Sequence, residues 1–218
     1  MSRIRVHQHV NPLAPYYRFT PEPLEIEKVF AAPDLPLHLD IGCARGRFLL
    51  KMAEVEPHWN FLGVEIREPL VEEANRIAEE NNLNNLHYEF CNATYSLDKF
   101  LEKLPTDLLQ TVTIQFPDPW FKNKHAKRRM VKDNLVETIV EHLKNAGKIF
   151  VQTDIEFLAE EMFMVFRENK HLHEIEINEN PFPVKTERET AVEEKGLTVY
   201  RKMFEKIKKH SKSHNRAM

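Results

Sequence analysis

The sequence predicts an α/β fold: a mostly parallel, seven-stranded sheet with helices on both faces and an antiparallel C-terminal strand. Two observations predict it. Short apolar runs alternate with helical patterns between residues 37 and 169, and strand, helix, strand repetition implies right-handed crossovers and a parallel sheet covered on both sides. Beyond residue 170 two strand-like stretches follow without a long helix between them, which fits an antiparallel edge pair.

In chain order the strands are "LHLDI" (37–41), "FLGVEI" (61–66), "LHYEFC" (86–91), "QTVTIQF" (110–116) and "KIFVQT" (148–153). Each is rich in β-branched and large apolar residues and too short for a helix. Helical spacing of apolar residues places helices over 46–56, 68–82, 96–104, 131–145 and 155–169,. "HLHEIEIN" and "TVYRKMFEKI" read as the closing strands.

The 218 residues, 42% of them hydrophobic, are expected to form one domain over 1–218,. Residues 1–35 are a Pro- and aromatic-rich N-terminal extension, 36–206 the core, and 207–218 a basic tail. Cys43 and Cys91 stand far apart with no Cys/His ligand spacing. Neither a disulfide framework nor a metal site is expected, and a reducing cytoplasm fits. No stretch has the apolar core of a signal peptide or the length of a membrane span,. The histidines, His9 among them, receive no metal or catalytic role.

The formal net charge is −3, yet residues 122–132 hold Lys122, Lys124, Lys127, Arg128, Arg129 and Lys132 with no acid between them. Screening acts over about 8 Å at physiological salt, so a polyanion meets that local charge rather than the total. Nucleic acid is therefore compatible with the composition.

The turn after the first strand, "LDIGCARGRF", places Asp40, Gly42 and Gly46 at the entry to a helix. Only five glycines occur in the chain, so two within five residues mark backbone conformations or close approaches that a side chain would obstruct. A dinucleotide fingerprint would need glycines at positions 44 and 47, where Ala44 and Arg47 stand,. Glu65 ends the second strand, where an acid accepts from ribose hydroxyls. A nucleoside without pyrophosphate fits best, and S-adenosylmethionine is the expected cofactor. Asn92, after the third strand, would face the adenine edge, its amide both accepting and donating.

"LDIGCARGRF", "FLGVEIRE", "CNA", "FPDPWFKNKHAKRR", "VQTDIE" and "TERE", in this order and spacing, resemble the bacterial tRNA (guanine-N7)-methyltransferase family across nearly all of 36–206. The resemblance implies a Rossmann-like, S-adenosylmethionine-dependent enzyme that methylates N7 of a guanine in the variable loop of tRNA. Matched position by position, Asp40, Gly42, Glu65, Asn92 and Asp118 are its cofactor-binding residues, and Asp118 is catalytic. Lys122, Asp154, Thr186, Glu187, Arg188 and Glu189 match substrate-binding positions, and Lys124, His125, Lys127, Arg128 and Arg129 an RNA-contacting stretch. Ala44 replaces a usual glycine, a harmless change if its φ is negative, and Asn92 replaces a usual Asp. Thr186 and Glu189 have capping-box spacing, but Gly196 and a strand follow soon after, so a loop reaching over the site is expected instead of a helix,. Both a monomer and a homodimer fit. An amino-group methyltransferase, or an RNA-binding protein of the same fold without turnover, are the readings that fewer of these residues support.

Overall fold

The computed structural model describes residues 9–207. Residues 1–8, and the expected basic tail beyond Ile207, lie outside the described residues. Seven strands form one sheet: β1 (Leu37–Ile41), β2 (Asn60–Glu65), β3 (Leu86–Phe90), β4 (Leu109–Gln115), β5 (Leu143–Thr153), β6 (Leu172–Ile175) and β7 (Tyr200–Lys206), in the order β3-β2-β1-β4-β5-β7-β6. β1 to β5 run parallel, and β7 lies antiparallel between β5 and β6. This is the predicted sheet, with β6 as its outer edge.

The helices are α1 (Ile26–Val29), α2 (Arg47–Val55), α3 (Glu68–Glu80), α4 (Ala93–Leu101), α5 (Asp133–His142), α6 (Glu156–Glu168) and α7 (Glu187–Glu193). Every residue of β1 and β2 is buried, which explains their near-continuous apolar sequence: helices cover both of their faces. Phe48, Leu49, Met52 and Ala53 of α2, with Val71, Ala74 and Ala78 of α3, pack on Phe61, Leu86 and Tyr88 on one side. Residues of α4, α5 and α6 pack with Leu39, Ile41, Val112 and Ile114 on the other.

Two local expectations need correction. Helix α5 stops at His142 and β5 starts at Leu143, five residues before Lys148. Leu143 is buried and pairs with Leu109, and the strand then bends at Ala146, whose φ is +60°. A buried Leu fits either element, so apolar spacing cannot place that boundary. The segment expected to be a loop over the site is helix α7: Thr186 is its N-cap, and its hydroxyl accepts from the Glu189 amide at 3.1 Å. The helix is only seven residues long, too short for periodicity to announce it.

After β3 the chain crosses back to lay β4 on the other side of β1. Carboxyl ends of strands flanking such a reversal diverge and leave a crevice, the usual ligand position in this architecture. Ile41, Glu65 and Gln115 end the three strands around it.

Candidate active site

That crevice is a cleft of about 1340 Å³ lined by the ends of β1, β2 and β4, the turn into α2, the loop after β4, the start of α7 and His9, Val10 and Pro12. Its floor is made by the β1–α2 turn. Gly42 and Gly46 have φ of +80° and +69°. A Cβ on Gly46 would lie 2.5 Å from the Tyr88 ring, whose hydroxyl donates to the Gly46 carbonyl at 2.6 Å. Glycine is thus required there twice over, by conformation and by contact. Ala44 also adopts a left-handed φ, +53°, contrary to the negative value under which replacing glycine would be harmless. The strain is about 1–2 kcal/mol, and it is held in place by the Ala44 amide donating to Glu65 Oε2 at 3.0 Å,.

The donor side of the cleft is buried. Asp40 is 4% exposed. Burial pushes its carboxyl up to about 6, the Thr113 hydroxyl and the nearby Gln115 amide oppose the rise, and the Glu65 charge adds to it. Thr113 Oγ1 donates to Asp40 Oδ1 at 2.6 Å, and His38 Nε2 lies 3.0 Å from the same hydroxyl. Glu65, 3% exposed, accepts from the Arg67 amide, from Arg67 Nε and a terminal nitrogen at 2.9–3.0 Å, and from Ala44. A carboxylate has about four lone-pair sites, so a ribose hydroxyl reaching Glu65 must displace Arg67. Asn92 lines the cleft, but its amide nitrogen donates to the Pro12 and Tyr17 carbonyls at 2.9 and 3.0 Å. It can still accept from an adenine edge. Its donors are committed to the N-terminal segment, which corrects the expectation that the amide does both.

The acceptor side is exposed and held by ion pairs. Asp118 sits in the loop after β4 with 41% of its side chain exposed, 2.8 Å from His9 Nδ1. Phe116 and Trp120, two residues before and after it, have φ of +51° and +43°. Pro117 and Pro119 fix their own φ between them. Strained non-glycine backbone on both sides of one acid persists only where the surroundings impose it. Across the cleft Asp154 pairs with Arg188, and Glu187 with Arg47. Phe121 is 66% exposed on the cleft wall, edge-on to Phe157 at 5.9 Å. Trp120 is more enclosed, with Arg128 over its ring at 4.8 Å and His9 and His125 beside it.

The structure therefore brings Asp40, Gly42, Glu65, Asn92, Asp118, Asp154, Thr186, Glu187, Arg188 and Arg128 to one cleft. Lys122, Lys124 and Lys127 are exposed, on the 3-10 turn 123–128 or at its start, outside the wall, and His125 is half-buried there. Two residues are corrected. Arg129 is buried: it donates to the Pro119 and Trp120 carbonyls at 3.0 and 3.3 Å and pairs with Glu161. Its planar fork clamps the Asp118 loop from behind and is closed to phosphate. Glu189 is fully buried, bound by Gln152, Asn180 and Arg201 at 2.7–3.2 Å. It anchors α7 to β5 and β7 behind the cleft wall.

Sequence reasoning missed His9, Arg67 and Thr113. His9 left no local signal. It reaches Asp118 because residues 9–24 are tied across the rim by Asn92, by Ser96 Oγ donating to the Phe19 carbonyl at 2.7 Å, and by Phe19 stacked on Phe90 at 4.7 Å. Thr113 was legible, since "TVT" on a strand beside Asp40 puts a hydroxyl on the same face,. Among the described residues no group of His, Cys, Asp or Glu side chains is arranged to hold a metal, and no helix is long and apolar enough to cross a membrane.

Residues 34–202 match the family described as "Putative methyltransferase". The tRNA (guanine-N(7)-)-methyltransferase of Trichormus variabilis is 56% identical over 208 residues, covering 94% of this chain and 97% of that protein. The Synechococcus elongatus protein of the same name is 50% identical over 207 residues, covering 94% and 97%. Among solved structures, the YcgJ protein of Bacillus subtilis overlays with a TM-score of 0.55 at 16% identity over 81% of this chain and 94% of its own. An rRNA methylase of Streptococcus thermophilus gives 0.52 at 11% identity over 84% and 92%. These two likenesses establish the Rossmann-like methyltransferase fold. The family match and the identities to the two cyanobacterial proteins over nearly the full chain place this chain in the tRNA (guanine-N7)-methyltransferase family.

Proposed function

We propose that the protein transfers a methyl group from S-adenosylmethionine to N7 of a guanine in the variable loop of tRNA, in the cytoplasm. One observation carries the reading. A proline-bracketed Asp118, with strained backbone two residues to either side, stands on the lip between a buried, acid-rimmed cleft and an exposed basic turn.

The chain's residues fit the cofactor. The left-handed turn at 42–46 leaves room for close approach, Asp40 is a buried carboxylate suited to an ammonium, and Glu65 stands at the strand end where ribose hydroxyls are bound,. Bound there, S-adenosylmethionine would supply an electrophilic methyl group. Guanine N7 carries an in-plane lone pair and no proton, so no general base is needed and the protein's task is alignment. Aligned reactants remove about 7–11 kcal/mol of barrier, and a displacement of about 1 Å costs about 100-fold. Asp118 is fixed for this task by its two prolines and by Arg129 beneath the loop,. Guanine N1–H and its exocyclic amine are donors, so Asp118 and Asp154 are the acceptors available to its far edge. A carboxylate there also offsets the positive charge that appears on the ring. Phe121 is an exposed aromatic on the cleft wall, and we assign it to stacking on the exposed base. Lys122, Lys124 and Lys127 face the phosphates.

The test is incubation with methyl-labelled S-adenosylmethionine and total tRNA, followed by cleavage at 7-methylguanine. Label released at one variable-loop guanine is expected. Label on an adenine amine or on protein, or tRNA binding with no label, contradicts the reading.

A further inference from the structure

We infer that Thr113 and His38 are positioning residues for Asp40, forming a hydrogen-bonded chain that holds its carboxylate as the acceptor for the ammonium at the amino-acid end of the donor. The inference deepens the donor-site reading and rests on it.

The chain follows from strand register. His38 and Asp40 are two residues apart on β1 and share a face, and Thr113 of β4 is the direct partner of Asp40,. All three are almost wholly buried. A threonine hydroxyl has one proton, and an ionised carboxylate only accepts. Thr113 gives that proton to Asp40 Oδ1, so it must accept from His38, which fixes His38 as the tautomer protonated on Nε2. Burial keeps the ring neutral, its value pushed down to about 3. Phe48, Phe61 and Phe182 pack around the ring and hold its plane.

A second observation points the same way. Of the cleft carboxylates, Glu65 is paired with Arg67, Asp118 with His9, Asp154 with Arg188 and Glu187 with Arg47. Asp40 alone has no arginine, lysine or histidine as ion-pair partner among the described residues. The other titratable groups facing it are Glu65 and Tyr88 from β2 and β3 and the Cys43 thiol in the turn, none of them a cation, and β4 adds the neutral Thr113 and Gln115. A buried anion with hydroxyl support and no counterion is suited to a cation that arrives with the ligand.

The test measures S-adenosylhomocysteine affinity by calorimetry between pH 5 and 8.5 on the full chain. Wild type should lose affinity as pH falls through about 6, where Asp40 takes up a proton. Thr113→Val removes the bond that favours the ionised form. It should move this limb about one pH unit higher, weakening binding by about tenfold at pH 5 and by only about twofold at pH 7. Thr113→Ser should restore both, and His38→Phe should move the limb the same way by less. A purely structural threonine would change melting temperature and leave the limb in place. If folded Thr113→Val and Thr113→Ser both keep the wild-type limb while Asp40→Asn binds weakly and without it, the chain is refuted and the donor site stands. If Asp40→Asn keeps wild-type affinity and limb, the donor-site reading itself fails, and the inference with it.

Discussion

The two walls of the cleft are built on opposite principles. The donor wall consists of strand ends: Asp40, Glu65 and Thr113 are nearly inaccessible, and backbone ladders on both sides fix their positions. The acceptor wall consists of loops and helix starts, where Asp154 and Glu187 are each paired with an arginine and Asp118 with a histidine from a distant part of the chain. A small cofactor can be met by a rigid surface. A folded RNA must be admitted, and exposed ion pairs, worth about 0–1 kcal/mol each, are readily exchanged for phosphate or base contacts. The difference predicts that donor-side changes act through pH and cofactor affinity, and acceptor-side changes through turnover and salt.

The sharpest break of that division is Asp118→Ala. Methyl transfer at saturating substrates should fall by about 100-fold or more. S-Adenosylhomocysteine affinity, measured on the same sample, should fall far less, by about tenfold at most, because Asp118 is only one of several residues at the cofactor. Asp40→Asn should do the reverse, weakening donor binding by about 10- to 100-fold through loss of a charged acceptor while tRNA affinity in a filter assay is unchanged. Arg129→Ala tests whether the basic segment is uniform. Its loss strands two loop carbonyls and Glu161, so stability should drop by about 2–3 kcal/mol, seen as a melting temperature lower by roughly 5–10 °C. Lys124→Ala with Lys127→Ala should leave the melt unchanged and make the salt dependence of tRNA binding shallower by about 0.9 for each phosphate no longer neutralised.

The smallest effect concerns stability. In the unfolded chain His38 takes up a proton near 6.5, whereas burial delays this to about 3 in the fold. Between those values the unfolded state binds more protons, and stability falls as pH falls. Asp40 works in the opposite sense between 3.8 and about 6, where the folded state holds the extra proton. His38→Phe removes the first contribution and changes the second by much less. Its stability relative to wild type should therefore improve by about 2 kcal/mol on going from pH 7 to pH 5, read from urea melts at each pH.

Much of the donor wall was legible because strand ends announce themselves. Buried apolar runs locate β1, β2 and β4, and the residue just past each run is a rim residue wherever the chain goes next. Asp40, Glu65 and the glycine turn followed from that. The acceptor wall was legible in composition and less so in geometry. "KHAKRR" shows a cluster of charge, yet burial separates Arg129 from Lys127 two residues earlier, and no spacing rule for a 3-10 turn reveals which side faces inward. Glu189 illustrates the same limit. One helical turn sends Thr186, Glu187 and Arg188 to the cleft, while Glu189 turns under to meet Arg201 on β7, a partner twelve residues away. His9 was beyond reach altogether, since its role depends on the Asn92 and Ser96 contacts that lay the N-terminal segment over the rim.

The most direct test of the account is a crystal structure of the protein with S-adenosylhomocysteine bound. The amino group of the product is expected on Asp40, its ribose on Glu65 with the Arg67 guanidinium displaced, its adenine beside Asn92 and its sulfur facing Asp118. Product bound elsewhere on the chain, or in this cleft with its sulfur turned away from the Asp118 loop, would contradict it.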